Sequence, residues 1–148
     1  MKSGVIDTLD FPIARGKEAH VFHATDLDGK VVAVKIFHTS NAVFKNCKFV
    51  RIDSEDAVNL ISSQFLIEDS TFEENSSDSI DIDFGNGIIK NSKFSFVGND
   101  AVDLSGSKVD LENLFFQNVG DKLISAGERT EVNIKTIDGK NSYIGIAS

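Results

Sequence analysis

The chain has 148 residues, of which 41% are hydrophobic and 26% are charged, and its formal net charge at pH 7 is −8. This composition fits one globular domain, or a small unit joined to a larger one, and excludes a disordered chain. The negative charge argues against nucleic acid and anionic membranes as partners, and without a signal peptide or a long apolar run we expect a cytoplasmic location for the chain expressed as given.

The composition changes near residue 40. Residues 1–40 carry five basic and five acidic side chains, whereas residues 41–148 carry ten basic and eighteen acidic ones. All three histidines precede this boundary, and all eleven asparagines lie at position 41 or later. We therefore predict two domains, residues 1–40 and residues 41–148.

The first part is predicted to form three antiparallel strands. Alternating apolar residues indicate strands at Phe11–Arg15, Ala19–Thr25 and Val31–Phe37. Gly16 supplies the first turn, and Asp28-Gly29 is a typical hairpin turn. Residues 1–40 are expected to cover one end of the structure that follows, either as a small antiparallel sheet or as an additional turn of that structure.

The stretches IARGKEAHVF, DLDGK and VAVKIFHTS, all within residues 10–40, resemble the start of the RIO-family atypical protein kinases. The resemblance implies that Gly16 and Lys17 lie against nucleotide phosphates and that Lys35 pairs with the α- and β-phosphates of ATP. The alternative for Lys35 is the solvent-facing side of an edge strand. The three histidines, with no cysteine or carboxylate motif beside them, are as compatible with surface positions as with ligation: His20, His23 and His38.

Phosphoryl transfer requires groups that this segment does not supply. A kinase needs metal-binding Asp and Asn residues, an Asp that positions the hydroxyl, and a Glu that holds the lysine. No His-x-Asp sequence occurs in the chain, and the repeat described below begins within ten residues of Lys35. The tripeptide Asp83-Phe84-Gly85 matches the magnesium-binding motif of ordinary kinases, but we interpret it as a corner between strands. We expect no kinase turnover, no catalytic residues and no bound ATP or magnesium.

The second part of the chain is a repeat of about 22 residues. Four phenylalanines occupy one column with spacings of 23, 22 and 22 residues, and a second apolar column has the same spacings. Cys47, the only cysteine, shares a column with Ser70, Ser92 and Leu114, so we expect it to be a small packed residue and not part of a disulfide or zinc site. The two apolar columns are Phe49, Phe72, Phe94 and Phe116, and Phe44, Ile67, Ile89 and Leu111.

Apolar residues alternate with period two within each copy, which indicates strands, and clusters of Asn, Asp, Gly and Ser supply the corners. Short strands with polar corners and a 22-residue period are typical of a parallel β-solenoid. The stretches GNDAVDLSGS and NGIIKNSKF resemble the right-handed parallel β-helix repeats of the pectate-lyase-like superfamily. The predicted fold is all-β: a right-handed parallel β-helix of four to five coils, with an N-terminal three-stranded β cap.

Two aspartates on consecutive coils form a candidate ligand site. Asp81 and Asp103 alternate with inward apolar residues, so they are expected to face outward, one coil apart. Two such carboxylates repel each other unless a cation or solvent intervenes. They are candidates for a calcium or sugar site, and the alternative is a solvated face whose repulsion discourages sheet aggregation.

These observations favour a non-catalytic structural protein, an artificial or shuffled chimera of a kinase fragment and a β-helix. One alternative is an ATP-binding remnant of a RIO-type kinase. Another is a carbohydrate-binding or polysaccharide-cleaving β-helix, since members of the superfamily include lyases and hydrolases as well as stalks and adhesion modules. The last residues, SYIGIAS, show no cap, so we expect either self-association through the ends of the solenoid or a sequence that is part of a longer chain.

Overall fold

The computed structural model describes residues 8–15, 19–25, 28–29, 31–37 and 41–148. All regular structure in these residues is β, in sixteen strands. None of the described residues forms a helix that is long and apolar enough to cross a membrane. The prediction of an all-β fold is confirmed.

The N-terminal sheet consists of β1 (Thr8–Arg15), β2 (Ala19–Thr25) and β3 (Val31–Phe37), joined as an antiparallel meander. The predicted strands are therefore confirmed, and β1 begins three residues earlier than the sequence pattern indicated. Two irregularities interrupt the pairing of β1 with β2, one between Leu9 and Phe11 and the other between Pro12 and Ala14. A bulge of this kind re-aims the side chains of the strand that contains it.

The remaining strands form five coils. In the first three coils each turn has three strands, and in the last two coils the second and third strands are continuous. The first coil contains β4 (Asn41–Lys45), β5 (Lys48–Val50) and β6 (Asp56–Ile61); the second contains β7 (Gln64–Glu68), β8 (Thr71–Glu73) and β9 (Asp78–Asp83); the third contains β10 (Asn86–Lys90), β11 (Lys93–Val97) and β12 (Val102–Ser105); the fourth contains β13 (Lys108–Glu112) and β14 (Leu114–Ala126); the fifth contains β15 (Glu131–Ile134) and β16 (Ile137–Ala147).

Strands from successive coils pair in parallel and in constant register. One face is a five-stranded sheet in the order β15-β13-β10-β7-β4. The strands β5, β8, β11 and β14 form a second face, and β6, β9, β12 and β14 form a third, with β16 beside β14. Paired residues are one repeat apart, as in Asp81 beside Asp103 and Phe44 beside Ile67. The predicted parallel β-solenoid is confirmed.

The interior contains the predicted phenylalanine column. The four rings stack almost in parallel, with centroid separations of 4.6, 4.8 and 5.0 Å, and none is more than 1% exposed. After Phe116 the column continues with Gly139, where an added Cβ would lie 2.3 Å from Cδ1 of Leu123. The side chain of Leu123 thus occupies the space of a fifth ring. Each strand pairs in parallel with the equivalent strand of the next coil, so identical side chains lie one inter-strand spacing apart.

A short column of hydroxyl groups joins the coils beside the phenylalanines. The Ser92 hydroxyl accepts a hydrogen bond from the backbone N–H of Ser70 at 3.2 Å, and the Ser70 hydroxyl accepts one from the N–H of Cys47 at 3.3 Å. Each serine hydroxyl also donates to a carbonyl two residues earlier in its own coil. Cys47 is partly buried against the core, and burial raises the pKa of its thiol. Its predicted role as a small packed residue is confirmed.

The corners between strands require a left-handed backbone conformation. One corner repeats with positive φ in four consecutive coils, and asparagine or aspartate occupies each position: Asn46, Asp69, Asn91 and Asn113. These residue types tolerate positive φ better than other side chains that carry a Cβ, which accounts for several of the asparagines beyond residue 40. Phe84 and Phe96 adopt the same conformation, at φ 55° and 54°, in the other two corners.

Candidate functional sites: the kinase-like strands and the outer faces of the solenoid

The residues of the predicted phosphate site are described only in part. Gly16 and Lys17 lie outside the described residues. Lys35 lies in β3, where it pairs with Val21 of β2, and its side chain is likewise outside the description. The proximity of these three residues, and their contact with nucleotide phosphates, therefore stays a prediction.

A histidine and an aspartate meet on the N-terminal sheet. Nδ1 of His23 lies 2.5 Å from Oδ2 of Asp10, and the imidazole ring stacks on Phe11 with centroids 4.7 Å apart. Asp10 lies at the first irregularity of β1, between Leu9 and Phe11. A regular alternation would place Leu9 and Phe11 on one face, but Leu9 is 6% exposed and Phe11 is 46% exposed. Sequence analysis missed this contact because it began the first strand at Phe11 and so placed Asp10 outside the sheet.

The N-terminal sheet is attached to the first coil of the solenoid. β1 pairs in parallel with β5, and Leu9 is the register partner of Phe49. Leu9, Phe22 and Ala24 are buried in the same hydrophobic cluster as the phenylalanine column. Leu9 therefore extends that column by one position, and the three antiparallel strands continue a sheet of the solenoid at its first coil.

Asp81 and Asp103 are register partners on the outer side of β9 and β12, as expected. The Nδ2 group of Asn59, one coil earlier, donates a hydrogen bond of 2.7 Å to Oδ2 of Asp81. Burial, and then the neighbouring carboxylates beginning with Asp56, raise the pKa of Asp81 to about 7. In the described part of the chain, no group of three or more His, Cys, Asp or Glu side chains is arranged to hold a metal ion. A ligand at Asp81 and Asp103 stays a prediction.

A neighbouring aspartate column holds the backbone of the next coil. Oδ1 of Asp78 accepts hydrogen bonds from the backbone N–H of Asp100 at 2.9 Å and from Nδ2 of Asn99 at 2.7 Å. Asp100 in turn accepts a bond of 2.9 Å from the backbone N–H of Lys122. The Nζ group of Lys122 lies 3.3 Å from Oδ2 of Asp100, so the column ends on a cation. These carboxylates bind backbone groups where the coil turns into its third face.

The kinase-like tripeptide Asp83-Phe84-Gly85 ends β9 and forms a corner, as predicted. Phe84 is 68% exposed. A Cβ on Gly85 would lie 2.5 Å from Cγ2 of Ile82, so the backbone passes close to the core at that point. Ser107 in the next coil stabilises this corner, because its Oγ accepts a hydrogen bond of 2.9 Å from the backbone N–H of Gly85.

An alternating charge column runs along the five-stranded face. Lys and Glu alternate through all five coils, and the column consists of Lys45, Glu68, Lys90, Glu112 and Lys135. Nζ of Lys90 and Nζ of Lys45 lie 2.8 and 2.9 Å from the Glu68 carboxylate, and these hydrogen bonds, that of Lys90 first, lower the pKa of Glu68. The end of the column repeats the pattern, with Nζ of Lys135 2.7 Å from Oε1 of Glu112. Sequence analysis did not identify this column, although its repeat spacing was visible.

Similarity to a known protein is confined to part of the chain. A stretch of 46 residues, 31% of the chain, is 48% identical to the serine/threonine-protein kinase rio1 of Schizosaccharomyces pombe (strain 972 / ATCC 24843). The chain covers 9% of that kinase. No family model and no solved structure matches. The chain therefore combines a partial RIO-kinase similarity with a β-solenoid fold.

Proposed function

We propose that this chain is a non-catalytic structural module in which kinase-like strands cover the first coil of a β-solenoid. The observation that carries the proposal is the pairing of Leu9 with Phe49, which places a buried side chain at the end of the aromatic column. The first-coil ring of Phe49 is only 1% exposed, close to the 0% of Phe72 and Phe94 in the middle of the column.

A solenoid needs such a cover for two physical reasons. Its first coil would otherwise present apolar interior to water, and burying one Leu-sized side chain contributes about 1.5–3 kcal/mol. Its sheet edge would also present free N–H and C=O groups that can pair with other chains. The parallel pairing of β1 with β5 meets both requirements on one face.

The proposal extends to the origin of the chain as a made or shuffled chimera. Two features support this origin: the change in charge and asparagine content near residue 40, and a kinase similarity that covers 9% of the kinase. In such a chimera the transferred strands keep their local hairpin pairing, which depends on nearby residues, while their surroundings change.

Removal of residues 1–36 tests the covering role. The shortened chain is expected to unfold at a lower temperature and to form larger assemblies than the full chain does, because Phe49 and the β5 edge become exposed. A control that lacks only residues 1–7 retains β1 and should behave as the full chain does. Thermal unfolding followed by circular dichroism, together with light scattering, distinguishes the two variants. An equally stable shortened chain that does not associate further contradicts the proposal.

A second candidate function is nucleotide binding by the kinase-like segment, and the 48% identity to a protein kinase favours it. Under this hypothesis Gly16, Lys17 and Lys35 hold the phosphates of ATP. A ligand at a hundred times its dissociation constant raises the free energy of unfolding by about 2.7 kcal/mol. A thermal shift with Mg-ATP that Lys35→Ala abolishes, and that the control Lys48→Ala retains, would establish binding. The structural proposal expects no shift in any of the three proteins.

A further inference from the structure

Strand β15 forms the outer edge of the five-stranded sheet. Among the described strands it pairs with β13 alone, and the backbone N–H groups of Glu131 and Lys135 donate to that side. Because successive residues of a strand direct their backbone groups to opposite sides, those of Val132 and Ile134 point away from β13. An edge with such free groups can pair with a further strand.

The apolar side of this edge is also uncovered. Leu111 in the fourth coil is fully buried, whereas its register partner Ile134 is 40% exposed. Ile124 is likewise fully buried, whereas its partner Ile146 is 50% exposed. A groove of about 370 Å³ at this edge is lined by Leu111 and Ile134 together with the polar residues Asp110, Glu112, Asn133 and Lys135. A partner that covers this end removes apolar surface from water.

The charges at the two ends of β15 select the partner. The alternating charge column ends on Lys135. A residue of a partner placed beyond Lys135 is therefore favoured if it carries a carboxylate, just as Glu68 lies between two lysines within the solenoid. At the start of β15, four residues before Lys135, Oε1 of Glu131 lies 3.1 Å from Nζ of Lys108, so a residue placed beyond Glu131 is favoured if it carries an ammonium group. An antiparallel copy of the same segment supplies both groups, because Glu131 begins β15 and Lys135 directly follows its last residue.

We propose that a second copy of this chain docks on the β15 edge, with its β15 antiparallel and a two-fold axis through Asn133. Val132 then lies opposite Ile134 of the second copy, and the two residues exchange the backbone hydrogen bonds that β13 leaves free. Glu131 lies opposite Lys135 of the second copy, and the symmetry repeats this pair at the other end. The assembly is a closed, isologous dimer.

Charge and backbone direction select this register. A shift by one residue places backbone groups that point toward β13 opposite groups that point away from it. A shift by two residues in one direction brings Arg129 opposite Lys135, and in the other direction it brings Ile137 opposite Glu131. Only the register centred on Asn133 pairs both charges with opposite charges.

A head-to-tail stack of copies is disfavoured on the same face. In a continuous parallel stack, β4 of one copy would follow β15 of another, and Lys45 would lie over Lys135. Like charges directly opposite each other on neighbouring strands are destabilising. Ile144 of β16 lies half a coil from Asn133 at the same end of the solenoid and is 37% exposed. In the two-fold arrangement it faces the end of the second copy. The interface therefore includes apolar residues of both β15 and β16.

Two charge reversals test the pairing through rescue. Glu131→Lys places two lysines opposite each other in each pair, and Lys135→Glu places two glutamates there, so each variant alone should raise the dissociation constant of the dimer at least tenfold. When the two variants are mixed, every pair again joins Lys with Glu, and dimers should reappear with one copy of each. Sedimentation velocity over a wide concentration range measures all three cases, and circular dichroism verifies that each variant is folded.

A wild-type chain that stays monomeric to several hundred micromolar would overturn the proposal, as would mixed variants that fail to associate. A sedimenting mass that keeps increasing with protein concentration would indicate head-to-tail association instead of a closed dimer. This result would also overturn the proposal. Failure here leaves the covering role of residues 1–40 intact, since that role concerns the opposite end of the solenoid.

A disulfide trap provides a second readout. In a Cys47→Ser background, Asn133→Cys places two cysteines across the axis with Cα atoms about 4.5 Å apart, within the range that a disulfide spans. Oxidised glutathione should convert this variant to a covalent dimer. The matched control Asp110→Cys lies on the same face one strand further in, roughly 14 Å from its counterpart at an inter-strand spacing of about 4.8 Å. Equal cross-linking of the two variants would contradict the register.

Discussion

The phenylalanine column inside the solenoid and the aspartates on its third face arise from the same repeat, yet the repetition has opposite consequences. Inside, each ring meets an identical ring at 4.6 to 5.0 Å, which is favourable for stacked aromatic groups. Outside, Asp81 lies beside Asp103 with three further carboxylates near it, and its pKa rises to about 7. In a solenoid, equivalent residues of successive coils lie beside each other. Whether this contact stabilises the fold depends on whether the residue type is apolar or charged.

The five-stranded face avoids repulsion between like charges because basic and acidic residues alternate along its column. Lys and Glu exchange places from one coil to the next, so that Glu68 receives ammonium groups from both neighbours at 2.9 and 2.8 Å. Asparagine columns offer another solution, since Nδ2 of Asn113 donates to Oδ1 of Asn91 at 3.1 Å and Asn141 donates to Asn118 at the same distance. Asn59 donates an amide hydrogen bond to Asp81 from the first coil, but on the other side Asp81 meets a second carboxylate, Asp103, so this contact remains electrostatically unfavourable.

The largest effect is expected from the middle of the aromatic column. Phe94→Ala should lower the free energy of unfolding by about 3–5 kcal/mol, because it leaves a cavity and removes stacking partners from Phe72 and Phe116. Phe96→Ala is a matched control in the same strand, where the side chain is 55% exposed, and it should change stability by less than about 0.5 kcal/mol. Urea unfolding measures both, and equal effects would contradict the interior column.

The next effect is expected where the N-terminal sheet extends that column. Leu9→Ala should cost about 2–3 kcal/mol, because Leu9 is 6% exposed and is the register partner of Phe49. Phe11→Ala removes a larger side chain from the same strand, but Phe11 is 46% exposed, so its loss should cost less. If the order of the two effects in urea unfolding were reversed, the covering role of β1 would be wrong.

On the outer face, Asp81→Asn should remove a pH dependence. The unfolded chain releases the Asp81 proton near pH 3.8, whereas the folded chain retains it to about pH 7, so the wild-type free energy of unfolding falls as the pH rises between these values. At pH 8 the variant should be more stable than wild type by about 1–2 kcal/mol after solvent screening, and at pH 3.5 the difference should vanish.

Chemical unfolding at a series of pH values measures this difference. An asparagine at position 81 also suits the amide ladders found elsewhere on the surface. The control Asp53→Asn removes the same charge from an exposed loop position and should leave the wild-type slope in place. A variant with an unchanged slope would show that the carboxylates of the third face do not determine the pH dependence.

The smallest effect is expected at a corner. Phe84 has a φ of 55°, a conformation that costs a side chain such as phenylalanine about 1–2 kcal/mol, whereas asparagine tolerates it. Phe84→Asn should therefore raise stability by about 1 kcal/mol, reduced by the loss of ring contact over Gly106. Phe84→Val, which is β-branched, should lower it. A differential scanning calorimeter resolves the two shifts in melting temperature, and the same sign for both would contradict the explanation.

The sequence by itself determined which residues share a column. Phe49, Phe72, Phe94 and Phe116 stack as the spacing predicted, and the three N-terminal strands lie where their turn residues indicated. Both predictions succeed for the same reason. A coil packs on a copy of itself, so register follows from the period, and a hairpin pairs residues that are close in sequence.

Tertiary structure alone decided how the two parts meet and what surrounds each outer charge. Leu9 belongs to a segment without repeats and Phe49 to the repeat, so no regular spacing in the sequence predicts that the two residues pair. The contact of Asp10 with His23 depends on an irregularity of β1 that reverses the alternation of its side chains. The pKa of Asp81 depends on carboxylates from three coils, and their distances are fixed only once the chain has wound upon itself. Such contacts follow from packing free energy summed over the whole molecule, which a local pattern does not encode.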